Sequence, residues 1–384
     1  MNKKTVFLVR NVAKEKFGGG EIYQIDLAMK LKEFGFCPVV LTNSKELIRK
    51  LKSKGIMVLV PPYNNKQNWS GWSNFLLPKY YCFQRRLSKW YDEMILKYKP
   101  TVINIQSRDD MIAGTLSARK HNVRIIWTDH ADFKNWVLWN VKSKFKNIIG
   151  KKIINLSKYT YATVFISKKI EIETKKLISP KEIINSVVVE NGVTDEYSRY
   201  ENVKARKGSF VFVGRIVKEK GISELIEAFR IVAKKHPEIV LKIYGDGPDL
   251  KSYSELAGDA RNIVFYGATN KPLEVMAECD IFVLPSYQEG LSLSLLDAAM
   301  MKKKIIASDV GGNSEIVVDK ETGLLVPVKN VSKLAVAMEW MLCNQKKASA
   351  LAGNARRMYE EKFNFDKIFA EKVLPLYNIT KEEE

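Results

Sequence analysis

The chain has 384 residues, 46% of them apolar, with a mean hydropathy of −0.19 and a formal net charge of +20. That is about two domains' worth of sequence with enough apolar residues for substantial cores, while no run approaches the ~20 apolar residues that a membrane-spanning helix needs. The opening Met1-Asn2-Lys3-Lys4 leads into an apolar stretch too short for a signal-peptide core, and four scattered cysteines without CxxC pairing indicate neither a metal site nor a disulfide framework, so a cytoplasmic location is expected.

Residues 5–10 (TVFLVR) read as a first strand. Phe17-Gly18-Gly19-Gly20-Glu21 follows, then apolar residues at helical spacing (Ile22, Ile25, Leu27, Leu31, Phe34) up to Gly35, a left-handed cap. A glycine loop feeding a helix N-terminus can bind phosphate through free amides and the helix dipole, although a tight strand-to-helix turn by itself requires glycine. The alternation continues with a strand at 38–42, a helix at 44–52, a strand at 56–60 and the loop PPYNNKQNWSGWSN. Helix 75–98, strand 101–105, helix 109–120 and strand 123–128 come next, then a Lys-rich helical stretch at 137–157 and strands at 162–167 and 186–190. This is the βαβ rhythm of a doubly wound sheet. Asn191-Gly192 reads as a turn, and the charged, aperiodic residues 195–207 read as a linker.

The rhythm then restarts. FVFVGR gives strand 210–213 and a turn at Gly214-Arg215, a helix runs from Gly221, and strands are expected at 239–244 and 263–266, the latter ending at Gly267. Residues 281–284 form an apolar run closed by Pro285, which reads as a buried parallel strand. The polar loop SYQEG, a helical stretch at 291–301, a strand at 304–307 and Gly311-Gly312 follow. In open α/β sheets ligands sit beyond the carboxyl ends of the strands. Glu289 stands at such an end, and Asp297 lies eight residues on, in the helix. Helical pieces at 331–342, 346–362 and 366–377 complete the chain before a frayed KEEE.

The stretch around Pro285, Ser286, Glu289, Gly290, Leu296, Ala298, Gly311, Gly312 and Glu315 resembles the retaining, nucleotide-sugar-dependent glycosyltransferases of family 4 (glycosyl transferases group 1). Their pattern here is a Glu-x7-Glu motif followed by a G-G-x-x-E loop; this chain has Glu-x7-Asp. GGGE resembles the family's first glycine loop, and VVVENGV its V-x-P-N-G-V-D turn with Glu in place of Pro. The resemblance is tight over residues 210–326 and looser before them. It implies the GT-B architecture: α/β, with two doubly wound Rossmann-like domains facing across a cleft. The N-terminal, acceptor-side domain would be 1–195 and the nucleotide-sugar-binding domain 208–365, with residues 366–384 returning as a helix to the first domain.

The resemblance also assigns roles. Glu289 would hydrogen-bond the donor sugar, while the amides of Gly290, Leu291, Ser292 and Leu293 would serve sugar hydroxyls and phosphate, a task that suits a helix N-terminus. Asp297 would take the ribose diol, with a reach ~1.5 Å shorter than glutamate's. Arg215 and Lys220, in G-R-x-x-x-E-K-G, would neutralise the departing diphosphate, and without a metal the protein must supply cations where that charge develops. No D-x-D occurs, consistent with a metal-independent enzyme without a cofactor. Gly18, Gly19 and Gly20 would line the donor site, and backbone near Tyr266-Gly267-Ala268 the base. His130, in T-D-H-A-D, would face the donor sugar, with Asp129 and Asp132 beside it; a histidine bonded at the strand terminus for structural reasons is the other reading.

Charge is unevenly shared. Residues 1–195 carry 35 Lys and Arg against 16 Asp and Glu, and residues 196–384 carry 28 against 27. Such asymmetry predicts an anionic partner for the first half. Trp69, Trp72, Trp90, Trp136 and Trp139 lie there among Lys142, Lys144, Lys146, Lys151 and Lys152, a mixture suited to the inner face of the plasma membrane and equally to a solvated lysine-rich surface. No nucleic-acid module is present. The expectation is transfer from a UDP- or GDP-sugar to a glycan or lipid-linked acceptor in bacterial envelope polysaccharide synthesis. The alternatives are a catalytically impaired carbohydrate- or nucleotide-binding relative, with Ser292 and Asp297 as the lesions, and a GT-B epimerase or sugar-phosphate synthase.

Overall fold

The computed structural model describes residues 4–12, 17–62, 76–130, 144–177 and 185–378. The chain divides into two compact units, Met1–Val189 with Phe369–Glu384, and Glu190–Ile368.

The first unit is built on seven parallel strands: β1 (Thr5–Val9), β2 (Cys37–Leu41), β3 (Met57–Leu59), β4 (Val102–Ile105), β5 (Arg124–Asp129), β6 (Ala162–Phe165) and β7 (Ser186–Val188). Their order is β3-β2-β1-β4-β5-β6-β7. The central strands are buried along almost their whole length, as expected when helices cover both faces of a parallel sheet. Helices Gly19–Glu33, Lys45–Ser53, Leu76–Tyr98, Met111–Lys120, Lys144–Leu156 and Lys168–Leu177 connect them. Ser44 Oγ caps the second of these by accepting from Leu47 N–H. The end of the chain packs here too: Asn104 Nδ2 donates to Tyr377 Oη at 2.6 Å, and Arg124 donates to the carbonyls of Leu376 and Asn378. Strand order reverses between β1 and β4, which places the loops after those strands at a switch point.

The second unit repeats the plan with six parallel strands: β8 (Arg206–Val213), β9 (Val240–Tyr244), β10 (Ile263–Gly267), β11 (Cys279–Leu284), β12 (Lys304–Ser308) and β13 (Leu324–Val326). The order is β10-β9-β8-β11-β12-β13, the arrangement of a dinucleotide-binding sheet, with its switch point between β8 and β11.

Two sequence readings change. Lys168–Leu177 is a helix that the charged, alternating KKIEIETKKL did not announce; its Glu171 is buried, held by Lys168, Lys175 and Ser186. Lys168 and Lys175, together with Ser186, hold that carboxyl down at about 2 against the burial that would raise it. Residues 195–207, read as a linker, belong to the second unit. Asp195 forms a two-pronged pair with Arg356 at 2.9 and 2.6 Å, and Arg206 already opens β8. The Arg356 contact keeps the Asp195 carboxyl below its usual range. The loop carrying Trp69 and Trp72, the stretch with Asp132, Trp136, Trp139 and Lys142, the side chains of Lys144 and Lys146, and the terminal KEEE lie outside the described residues.

Candidate functional site

At the switch point of the second sheet, two loops are locked together. After β8 the chain passes Gly214 and Arg215 and makes a single turn at Lys218–Lys220, ending at Gly221 with φ +67°. Gly221 is required twice: an L side chain disfavours that φ, and a Cβ would sit 2.1 Å from Pro285 O. Tyr287 N–H donates to Glu219 O at 2.7 Å, and Tyr287 Oη donates to the Glu224 carboxylate at 2.6 Å. Burial and then that carboxylate push the Tyr287 phenol up to about 12.

This lock brings Lys220 to Glu289. Lys220 Nζ donates to Glu289 Oε1 at 2.5 Å, and Ser286 Oγ donates to the same oxygen at 2.6 Å. Both charged side chains are largely covered, at 17% and 10% exposure. Glu289 Oε2 accepts no hydrogen bond among the described residues, so one carboxylate oxygen remains for a ligand. Arg215, on the same loop as Lys220, is exposed and pairs with no carboxylate among the described residues.

Beyond Glu289, residues 290–292 lead into helix Leu293–Met300, the element the sequence began two residues earlier. Gly290 O accepts from Gly312 N–H at 2.6 Å, and Leu291 O accepts from Asn191 Nδ2 at 3.2 Å. Gly311 has φ +50°, and a Cβ there would lie 1.8 Å from Glu289 O. Ser292 caps the helix through its Oγ at φ −72°. That is ordinary backbone for serine, so Ser292 carries no backbone strain here. The N–H groups of Gly290, Leu291, Ser292 and Leu293 donate to no group among the described residues, which leaves a cluster of free amides at a helix N-terminus. Asp297 is half-buried one turn further along. The phenol of Tyr359 is raised by burial first, then by Asp195 and Asp297.

Gly267 ends β10 with φ +74°, and its carbonyl accepts from Gly245 N–H at 2.8 Å. The rings of Tyr244 and Tyr266 stack nearby at 4.6 Å. In the sheet, β9 and β8 separate this strand from β11.

The first unit gathers a second group at its own carboxyl edge. Gly18 precedes helix Gly19–Glu33, and its carbonyl accepts from Glu21 and Ile22 N–H. Gly20 lies under the Arg10 guanidinium, where a Cβ would approach Nη2 to 2.3 Å. Arg10 pairs with the buried Glu21 at 2.9 Å. His130, just after β5, shares a 2.8 Å hydrogen bond between Nε2 and Gln106 Oε1, and the Tyr23 ring meets it edge-on at 4.9 Å. Burial, then the nearby Arg10 charge, hold the imidazole well below its usual range, so it is neutral at physiological pH. His130 and the glycine loop therefore share one corner. Arg10, Gln106 and Tyr23 were not legible as members of it, since nothing in their local sequence sets them apart; Glu21 closes the GGGE motif, and its pairing with Arg10 came from the fold.

Among the described residues no three His, Cys, Asp or Glu side chains group as metal ligands, and no helix is long and apolar enough to cross a membrane.

Comparison with known proteins agrees with this architecture. Residues 17–197 match Glycosyltransferase Family 4, and residues 193–358 match Glycosyl transferases group 1. The chain is 27% identical over 305 residues to the capsular polysaccharide biosynthesis glycosyltransferase CapM of Staphylococcus aureus, spanning 73% of this chain and 77% of that one. A glycosyltransferase from Rickettsia africae superposes with a TM-score of 0.79 at 21% identity, covering all of this chain and 99% of that one. Anabaena HepE, solved in complex with UDP-glucose, superposes with a TM-score of 0.76 at 16% identity over 98% of this chain and 100% of that one. Two adjoining family matches, two switch-point sheets and a GT-B fold shared over the whole length lead to one conclusion: the chain belongs to the group 1 glycosyltransferases of the GT-B fold.

Proposed function

We propose that the protein is a retaining, metal-independent glycosyltransferase that moves a sugar from a UDP- or GDP-sugar to a glycan or lipid-linked acceptor in envelope polysaccharide synthesis. The observation that carries this reading is the Lys220–Glu289–Ser286 cluster beside free loop amides at the switch point of the second sheet. In this reading the amides of residues 290–293 receive the diphosphate. Lys220 and the exposed Arg215 oppose the charge that grows on it as the sugar departs, and such preorganised cations accelerate the step without a metal. Glu289 orients the sugar through its remaining oxygen, Asp297 takes the ribose, and the neutral His130 bonds a donor hydroxyl. Gly267 flanks the base, and Gly18, Gly19 and Gly20 serve donor binding.

Support for the donor comes from HepE, whose structure holds UDP-glucose, and for the pathway from the role in CapM's name. The impaired-enzyme alternative loses half its footing, because Ser292 is unstrained and caps its helix. For the acceptor, the excess positive charge of the first half and the exposed Lys79, Arg85, Arg86, Lys89 and Lys151 suit a peripheral position at the cytoplasmic face of an anionic membrane. A thermal-shift panel of UDP, GDP, ADP and their sugars tests the donor; stabilisation by none would count heavily against this function. Flotation with anionic and neutral liposomes tests the membrane, and no preference for the anionic ones would remove that part.

A further inference from the structure

The segment by which the chain enters the second unit does more than turn. Val193 N–H donates to Phe363 O, Phe365 N–H donates to Val193 O, and Tyr359 Oη donates to Val193 O at 2.8 Å. Gly192 fits so closely that a Cβ would lie 2.8 Å from Phe363 O and 2.9 Å from Phe365 Cα. These contacts hold the backbone of Asn191 in a fixed position. From there the buried Asn191 side chain reaches Leu291, 100 residues away in sequence, and donates Nδ2–H to its carbonyl at 3.2 Å. A carbonyl can only accept, so the amide orientation is set. Among the described residues Asn191 Oδ1 is buried with no partner, which leaves the Leu291 contact as the hydrogen bond this side chain makes there.

A trans peptide holds the C=O of one residue antiparallel to the N–H of the next. Drawing Leu291 C=O toward Asn191 therefore turns Ser292 N–H the opposite way. Gly312 does the same for the preceding peptide, drawing in Gly290 C=O and turning out Leu291 N–H. Both N–H groups are free among the described residues.

We propose that Asn191 is a positioning residue of the donor site, whose side-chain amide fixes the Leu291 peptide so that Ser292 N–H faces the diphosphate of the nucleotide sugar. The inference rests on the donor reading given above. Its consequence is selective: Asn191 governs affinity for the phosphates and not for the base.

Asn191→Asp keeps the shape and removes the donor. Titration calorimetry of UDP and uridine on the full chain, or of GDP and guanosine if the wild type prefers guanine, reads the effect. One charge-assisted hydrogen bond corresponds to roughly a 10- to 100-fold change in affinity. The expected result is a loss of that size for the diphosphate, with unchanged nucleoside affinity and a raised KM for the nucleotide sugar. Diphosphate affinity within twofold of wild type, or equal losses for diphosphate and nucleoside, overturns the proposal. Should the variant not fold, the wild type labelled with 15N-Leu and 15N-Ser decides: UDP or GDP must shift the Leu291 and Ser292 amides, and their indifference to a bound diphosphate overturns it. A wild type that binds no nucleoside diphosphate refutes the donor reading itself, whereas a binding wild type with an equally binding variant refutes only the role of Asn191.

Discussion

Replacing Gly311 by alanine puts the geometry of the donor loop to a quantitative test. The residue has φ +50°, where an L side chain is strained by roughly 1–2 kcal/mol. The added Cβ would also meet Glu289 O at 1.8 Å and its carbonyl carbon at 2.8 Å. An ordinary C···O contact is about 3.3 Å, so the Glu289 peptide has to withdraw by about 1.5 Å. That movement breaks the Gly312 N–H to Gly290 O bond, a further loss of about 1 kcal/mol. A total of about 2–3 kcal/mol would lower the melting temperature by several degrees and leave the fold intact. Function should suffer more, because misplacing a binding group by about 1 Å reduces rates on the order of 100-fold. Thermal denaturation and titration with the preferred nucleotide sugar together measure both effects. A Gly311→Ala protein that melts a few degrees early yet binds donor within twofold of wild type would show that donor binding does not depend on the backbone of this loop.

Glu289→Gln and Lys220→Met each remove one side of the pair that joins the two loops. Each should lower kcat by about 100- to 1000-fold with a modest change in donor KM, and steady-state kinetics with full activity in either would remove that residue from catalysis. Asp297→Glu lengthens the acid and should preserve or tighten nucleotide binding; a large loss of affinity by calorimetry would mean the pocket is built around the shorter side chain. The depressed imidazole of His130 makes a signed prediction about pH. Its folded pKa lies below the unfolded value of about 6.5. Its contribution is therefore fully present above pH 6.5 and declines as pH falls toward the folded pKa, since only the unfolded chain then takes up the proton. Melting curves from pH 7.5 to 5.5 should fall less steeply for His130→Asn than for wild type, and parallel curves would contradict the shift.

The strands were legible because both faces of these sheets are covered, which leaves uninterrupted apolar runs such as VFLV and IFVL whose bounds moved by only a residue or two. Helix starts were harder. Residues 291 and 292 have helical composition, but the Ser292 cap excludes them from the helix and so creates the free amides. Helix Lys168–Leu177 went unread because Ile170 and Ile172 alternate like strand residues and because a buried Glu171 looks like a surface one in sequence. Long-range pairs were out of reach altogether. Asn191 to Leu291 spans 100 positions and Asp195 to Arg356 spans 161, and in both cases the local sequence reads as turn or linker. The motif residues Lys220 and Glu289 were found by resemblance; their contact, and the Ser286 hydroxyl that completes it, came from the fold.

The proposed reaction is transfer of a sugar from a nucleoside-diphosphate donor with retention at the anomeric carbon. Proton NMR of donor turnover in the presence of water alone tests it most directly, by following the first sugar released from UDP-α-glucose and from the other α-linked UDP- and GDP-sugars that stabilise the protein. With retention the α anomer forms first, with nucleoside diphosphate released in step and without added metal. Initial release of the β anomer, or no release above buffer from any of these donors, would contradict it.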